Sequence, residues 1–124
     1  MKKINLKPSF KDERGEIIDL LEENINAITL ITFKKGSVRA NHYHKKTIQW
    51  NYLISGKVLI RTQKHGKKHI DLIMNPRDFV VSNANENHAL KGLEDSTLLV
   101  FTKGPRSGKE YESDTFRLEK PLIN

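Results

Sequence analysis

The sequence has no cysteine, a single tryptophan and only four prolines among its 124 residues. Without thiols, disulfides and thiolate metal ligands are excluded. No window approaches the roughly 20 apolar residues that span a bilayer. The start, MKKINLKPSF, carries a lysine pair but no apolar run of signal-peptide length. The simplest address is therefore the cytoplasm, with no membrane partner. No ten-residue amphipathic helix stands out, and internal repeats and low-complexity tracts are absent. No aromatic residues alternate with a basic run, which argues against a nucleic-acid partner.

What is present suits a small folded protein. Hydrophobic residues make up 36% and charged residues 30%, a balance that argues against long disorder. The length allows one core without room for a second. We therefore expect a single domain over residues 1–124, with its core at about 26–102 and a C-terminal loop or arm at 103–124. The formal charge is +7. Lysine pairs at 2–3, 34–35, 45–46 and 67–68 are spread along the chain, as solvated faces and turn tips would be. The functional alternative is a positive field that draws in an anionic small molecule such as a nucleotide-diphosphate sugar.

Strand signals recur at short intervals. A charged turn at Asp12–Gly15 leads into Ile17, Ile18, Leu20 and Leu21, read as strand in preference to a helical turn. AITLITF ending at Phe33 is rich in β-branched residues and reads as a buried strand. Val38–His44, Thr47–Ile54, Lys57–Thr62, Ile70–Met74, Phe79–Val81, Ala89–Leu90 and Thr97–Thr102 continue the series. Turn residues at Ser55-Gly56, Lys64–Lys67 and Asn75-Pro76 separate several of them. Such a series implies an all-β sandwich or barrel. After Phe101 the segment KGPRSGKEYESDTF leaves that pattern as a loop, and Arg117–Leu122 reads either as a last strand or as a tail.

The stretch Gly36–Gly56, GSVRANHYHKKTIQWNYLISG, concentrates the chemistry. His42 and His44 are two apart, so on an extended strand they share a face. Two imidazoles there can hold a metal or a substrate, or can be solvated side chains of a polar strand. Gln49 and Asn51 share a face on the next strand, where Asn51 can line a cavity. Trp50, Tyr52 and Ile54 face the other way, toward a second layer or a subunit interface.

The spacing around these residues resembles the first signature of the cupin superfamily, G-x5-H-x-H-x(3,4)-E-x6-G, with Gln49 in place of the Glu. The second signature, G-x5-P-x-G-x2-H-x3-N, is half kept. His88 fits its histidine, while Arg77, Asn83, Asn85 and Gly92 stand at the other motif positions. The resemblance implies a double-stranded β-helix jelly roll in which His42, His44, Gln49 and His88 converge. Such a set suits a divalent ion, Zn, Ni, Mn or Fe, with no organic cofactor. The Gln49 amide is a weaker ligand than a carboxylate, so a metal-free pocket stands beside the metal-bound one.

The segment R-A-N-H-Y-H-K, Arg39 to Lys45, followed by Gln49, resembles the R-G-x-H-x-H-K…Q of dTDP-4-keto-6-deoxyhexose 3,4-ketoisomerases, a family that works without metal. F-x-D-x-R-G, Phe10 to Gly15, resembles the entry segment shared with the 3,5-epimerases. That likeness implies His42 or His44 as the base beside a ketone and Arg39 on the diphosphate or developing oxyanion. It also implies a tyrosine, for which Tyr43 and Tyr52 are the candidates. The tail D-T-F, Asp114 to Phe116, is similar to the zinc-binding cupin domain of capsular-polysaccharide sugar-nucleotide enzymes. Arg61 and Arg77 can reach a phosphate or lie on the surface, and Arg106 can close over a ligand. His65 and His69 sit in a lysine-rich turn and are expected to be exposed. The leading expectation is a sugar-nucleotide isomerase or epimerase, working as a homodimer on an anionic sugar substrate. A metal-dependent dioxygenase and a non-catalytic carbohydrate-binding cupin are the alternatives.

Overall fold

A computed structural model describes residues 1–105 and 112–124. Its strands are β1 (Lys2–Ile4), β2 (Phe10–Asp12), β3 (Gly15–Ile17), β4 (Ala27–Phe33), β5 (Val38–Tyr43), β6 (Ile48–Ser55), β7 (Val58–Lys64), β8 (Ile70–Met74), β9 (Phe79–Ser82), β10 (Glu86–Gly92), β11 (Ser96–Lys103) and β12 (Phe116–Arg117). They form two five-stranded sheets, β1-β9-β6-β11-β4 and β12-β5-β10-β7-β8, and a separate β2-β3 hairpin. Every pairing is antiparallel. This is the expected all-β jelly roll.

Side-chain alternation sorts the residues into two clusters. Leu53, Val58, Ile60, Met74, Val80, Leu98 and Val100 fill the space between the sheets. Trp50, Phe79 and Phe101 lie on the outer face of the first sheet, under Ile4, Leu6, Leu20, Leu21 and Ile25 of the N-terminal segment. Leu53 and Ile60 are fully buried, and each such side chain contributes roughly 1.5–3 kcal/mol of transfer free energy. A one-residue slip of β6 would put Trp50 and Tyr52 where Asn51 and Leu53 now sit, so burial fixes the register.

One local expectation differs from what is found, and two that were open are decided. Ile18, Leu20 and Leu21 are not strand: β3 ends at Ile17, and the leucines pack irregularly beneath the outer cluster. Trp50 is buried by the N-terminal segment of its own chain, whereas Ile54 remains exposed. Arg117–Leu122, open between strand and tail, begins on β12, which pairs with β5 through Phe116↔Tyr43 and Arg117↔His42. The rest is fastened down. The Asn41 side chain accepts from the amides of Leu122 (2.8 Å) and Ile123 (3.2 Å) and donates to the Ile123 carbonyl (3.0 Å). Ile123 is buried.

Candidate active site

His42 lies on β5 and His88 opposite it on β10, as a directly paired couple. His44 follows just after β5. The register between β5 and β10 shifts beside this pair, where Ala40 and Asn41 both take positive φ, +71° and +56°. This bulge puts the extra residue on β5. It lets Arg39, paired with Leu90, and His42, paired with His88, both serve the inner face despite their odd spacing.

All three rings are buried. Their centroids are 4.7 Å apart for His42–His44, 4.7 Å for His42–His88 and 5.4 Å for His44–His88. One ligand nitrogen from each lies within 4.8 Å of the others. Two tautomers follow from the partners. His44 Nδ1 is 2.7 Å from the Asp114 carbonyl oxygen, and His88 Nδ1 is 3.3 Å from that of Glu86. A carbonyl only accepts, so each Nδ1 carries the proton and each Nε2 keeps its lone pair. His42 Nδ1 is buried without a hydrogen-bond partner.

Electrostatics sets the charge of two of them. Burial, with His88, His44 and Arg117 nearby, pushes His42 down to about 3. Burial and His44 push His88 down to about 4, against a small opposing effect of the Glu86 carbonyl. Both are neutral at pH 7. His44 stands beside Asp114, whose carboxylate accepts from the Lys45 amide (3.0 Å), the Lys46 amide (3.1 Å) and the Thr47 hydroxyl (2.7 Å). Burial alone would raise Asp114, but the Thr47 and backbone hydrogen bonds and His44 outweigh it and hold the carboxyl below its ordinary value. Asp114 thus fixes the turn after His44 with its side chain and the His44 ring with its carbonyl. Its type and position, 70 residues downstream, gave only a short motif as a signal.

A cavity of about 200 Å³ runs from His42, His88, Gln49 and Asn51 past Ile31, Leu98 and Val100 to Arg39. Asn51 donates to the Val80 carbonyl at 3.0 Å. On the same inner face Gln49 is flanked by Ser82 and Thr102. Among the described residues no carboxylate joins the three histidines in a metal-ligating group. Arg39 lies at the rim, donating to the Thr32 carbonyl (3.0 Å) with its guanidinium over the Phe33 ring.

Two candidates sit elsewhere. Arg61 makes a two-bond pair with Asp71 (2.7 and 3.0 Å) and donates to the Leu122 carbonyl (3.0 Å), so it ties β7 to β8 and to the tail. Tyr52 lines a larger groove of about 930 Å³ on the outer face of the first sheet. That groove is open, and its charges are matched internally as Lys3–Asp78 and Arg77–Glu16. The smaller cavity, with its unpaired imidazole nitrogen on His42, is the chemically equipped one. Tyr43 stacks on Phe116 at 5.1 Å. Arg106 lies outside the described residues.

With this geometry in place, solved structures show what the chain is similar to. No family model and no curated protein matches the sequence. A TDP-quinovose 3,4-ketoisomerase from Campylobacter jejuni superposes with a TM-score of 0.78 at 23% identity, over 94% of this chain and 92% of that one. A dTDP-4-dehydrorhamnose 3,5-epimerase from Sulfolobus tokodaii gives 0.70 at 17%, over 86% and 70%. The capsular polysaccharide assembling protein CapF from Staphylococcus aureus gives 0.70 at 19%, over 94% of this chain but 33% of its own. At these identities the likeness establishes the fold, which is the RmlC-like cupin jelly roll.

Proposed function

We propose that this chain is a sugar-nucleotide isomerase or epimerase that moves a proton beside a keto group. The observation that carries the reading is the His44–Asp114 contact within a three-histidine cluster whose other two members, His42 and His88, line the cavity. A base for a carbon acid needs an unprotonated nitrogen and an environment that accepts its positive charge once protonated. His44 has both: Nε2 is unprotonated, and the Asp114 carbonyl and carboxylate lie on its other side. Burial holds His42 and His88 neutral. Of the two, His42, whose Nδ1 has no partner, can turn an N–H to an enolate oxygen, whereas the His88 Nδ1–H is taken by the Glu86 carbonyl. In this scheme His44 takes the proton from the carbon next to the ketone and the electron pair moves onto the carbonyl oxygen as an enolate. For epimerisation a second acid or water returns a proton to the same carbon from the opposite face. For the ketone shift the adjacent hydroxyl passes its proton to that oxygen while the former carbonyl carbon is protonated. The solved ketoisomerase and epimerase structures support this substrate class. The 200 Å³ cavity is below the roughly 300–1,000 Å³ of clefts that take whole drug-sized ligands, so it would enclose a sugar ring and leave the nucleotide outside. We place the reaction in the cytoplasm.

A second reading rests on the same three nitrogens. Tetrahedral nitrogens 2.0–2.1 Å from a zinc ion lie about 3.4 Å apart, so small ring rotations would bring His42, His44 and His88 to bonding distance. The lone pairs fixed on His44 and His88 fit a divalent ion, with Gln49 as a neutral fourth oxygen. Such an ion supplies Lewis-acid polarisation of a carbonyl when bound. Arg39 then serves either state as a rim cation.

We also propose a homodimer, since Ile28, Leu30 and Ile54 leave large aliphatic surfaces exposed on the first sheet. Sedimentation should show a dimer that Leu30→Lys splits, and a monomeric wild type would refute this. To test the activity, proton NMR would follow a TDP-linked 4-keto-6-deoxyhexose, and elemental analysis would follow the untagged protein. A 3-keto or epimerised product that His44→Ala abolishes is expected. One equivalent of iron with no isomerised product would instead favour a dioxygenase, and binding without turnover a carbohydrate-binding module.

A further inference from the structure

Beside the histidine cluster the tail contributes a cation that sequence reasoning left out. Arg117 on β12 is directly opposite His42 on β5. Directly opposed residues of an antiparallel pair project from the same face. Arg117 therefore stands on the His42 face of the sheet, one strand further out, at the sheet's edge. Its charge is felt there, as one of the influences that keep His42 neutral. On β5, Arg39 lies three residues before His42 and lines the cavity. Because the bulge takes up one residue of β5, the two arginines are roughly 7 Å apart along the strand direction and one strand spacing of about 4.8 Å apart across it.

Both guanidiniums are available to a ligand. Arg39 is exposed and spends one nitrogen on the Thr32 carbonyl. The Arg117 side chain is 70% exposed, and its pair with Glu112, 64% exposed, is 3.9 Å long. Exposed pairs of that kind contribute little in water. The position of β12, by contrast, is well fastened, by Asp114 on one side and by the Asn41 clamp on Leu122 and Ile123 on the other. A long cation on a fixed edge strand beside the rim is suited to an anion outside the cavity.

We propose that Arg117 is a substrate-binding residue that closes with Arg39 on the diphosphate of a sugar nucleotide whose sugar ring enters the cavity. This rests on the sugar-nucleotide reading above. Two guanidiniums set apart along a rim match two phosphoryl groups, one planar fork to each, better than they match a single phosphate. The fastening of the tail then has a purpose at the site, since it holds the edge strand that carries the second arginine.

Calorimetric titration with inorganic pyrophosphate and with dTDP, at one ionic strength, tests this on wild type, Arg117→Ala, Arg117→Lys and Lys120→Ala. Arg117→Ala should weaken both probes at least about tenfold. Arg117→Lys should recover part of the loss, and Lys120→Ala, an exposed lysine three residues on, should leave affinity unchanged. Equal affinity in wild type and Arg117→Ala overturns the proposal. So does an equal loss in Lys120→Ala, which would mean a diffuse field, and so does a wild type that binds neither anion. Turnover is read separately. If pyrophosphate binding depends on Arg117 in a protein that converts no keto-sugar, the clamp stands and the enzymatic reading falls.

Discussion

Ala40 and Asn41 are neighbours in the left-handed region, yet they stand there for different reasons. Asn41, at φ +56°, is of a type that tolerates this conformation, and its side chain holds the tail. Ala40, at φ +71°, has no such compensation, and it occupies the position where the ketoisomerase-like R-G-x-H pattern has glycine. Ala40→Gly should therefore stabilise the protein by about 1 kcal/mol, seen as a raised urea midpoint with unchanged slope. A lowered midpoint would mean that the Ala40 methyl, which packs on the core cluster, matters more than the strain. The same logic explains why the second cupin motif was hard to read. Arg77 and Asn85 fill its two glycine positions and both keep positive φ, +76° and +62°. The backbone conformation survived while the residue that announces it did not. His42, His44, Gln49 and His88 were legible because their spacing survived intact. Asp114 and Arg117 were not, since their roles arise only when a distant tail pairs with β5.

At the scale of elements, the two glycines that bracket the first motif predict different outcomes. Gly36 has φ +86° and open space around a would-be Cβ, whereas Gly56 has φ +90° and a Cβ there would lie 2.2 Å from Ser96 Oγ and 2.5 Å from the Asp95 carbonyl. Gly36→Ala should cost only the conformational 1–2 kcal/mol or so. Gly56→Ala should cost roughly 3 kcal/mol or more, because backbone must move as well. Chemical denaturation of both variants checks the ordering, and equal losses would show that the Gly56 hairpin relaxes freely. The long strands were readable from β-branched content and alternation, as in β4 and β11. β1 was missed and β12 was left open between strand and tail, being three and two residues long, too short to show a period. The run Ile17–Leu21 misled for the opposite reason. Its apolar residues are there to cover Trp50 and Phe79, a demand that sets burial without setting strand geometry.

For the whole molecule, burying three imidazoles sets the response to acid. In the folded chain His42 and His88 are held at about 3 and about 4, below the ordinary value of 6.5. Between those values the unfolded chain binds more protons than the folded one, so stability present above about pH 6.5 is lost as pH falls toward 4 and then 3. Asp114, held below its ordinary 3.8, adds a further loss only below that value. Calorimetry should show the melting temperature falling steadily from pH 7 to pH 4.5, with a shallower fall in His42→Phe. A flat profile in the wild type would mean that the histidines are not buried neutral. Among the described residues no helix is long and apolar enough to cross a membrane, and the cavity that His42, Gln49 and His88 line lies between the two sheets.

The central claim is that His44, set by Asp114, exchanges a proton on the carbon beside a ketone. Incubation with a TDP-linked 4-keto-6-deoxyhexose in deuterium oxide, read by NMR, tests it most directly. Deuterium should appear at the carbon next to the keto group, with exchange reduced at least about a hundredfold in His44→Ala while that variant still binds dTDP. A wild type that binds dTDP yet leaves that carbon unlabelled, or a His44→Ala protein that labels it at the wild-type rate, would contradict the account.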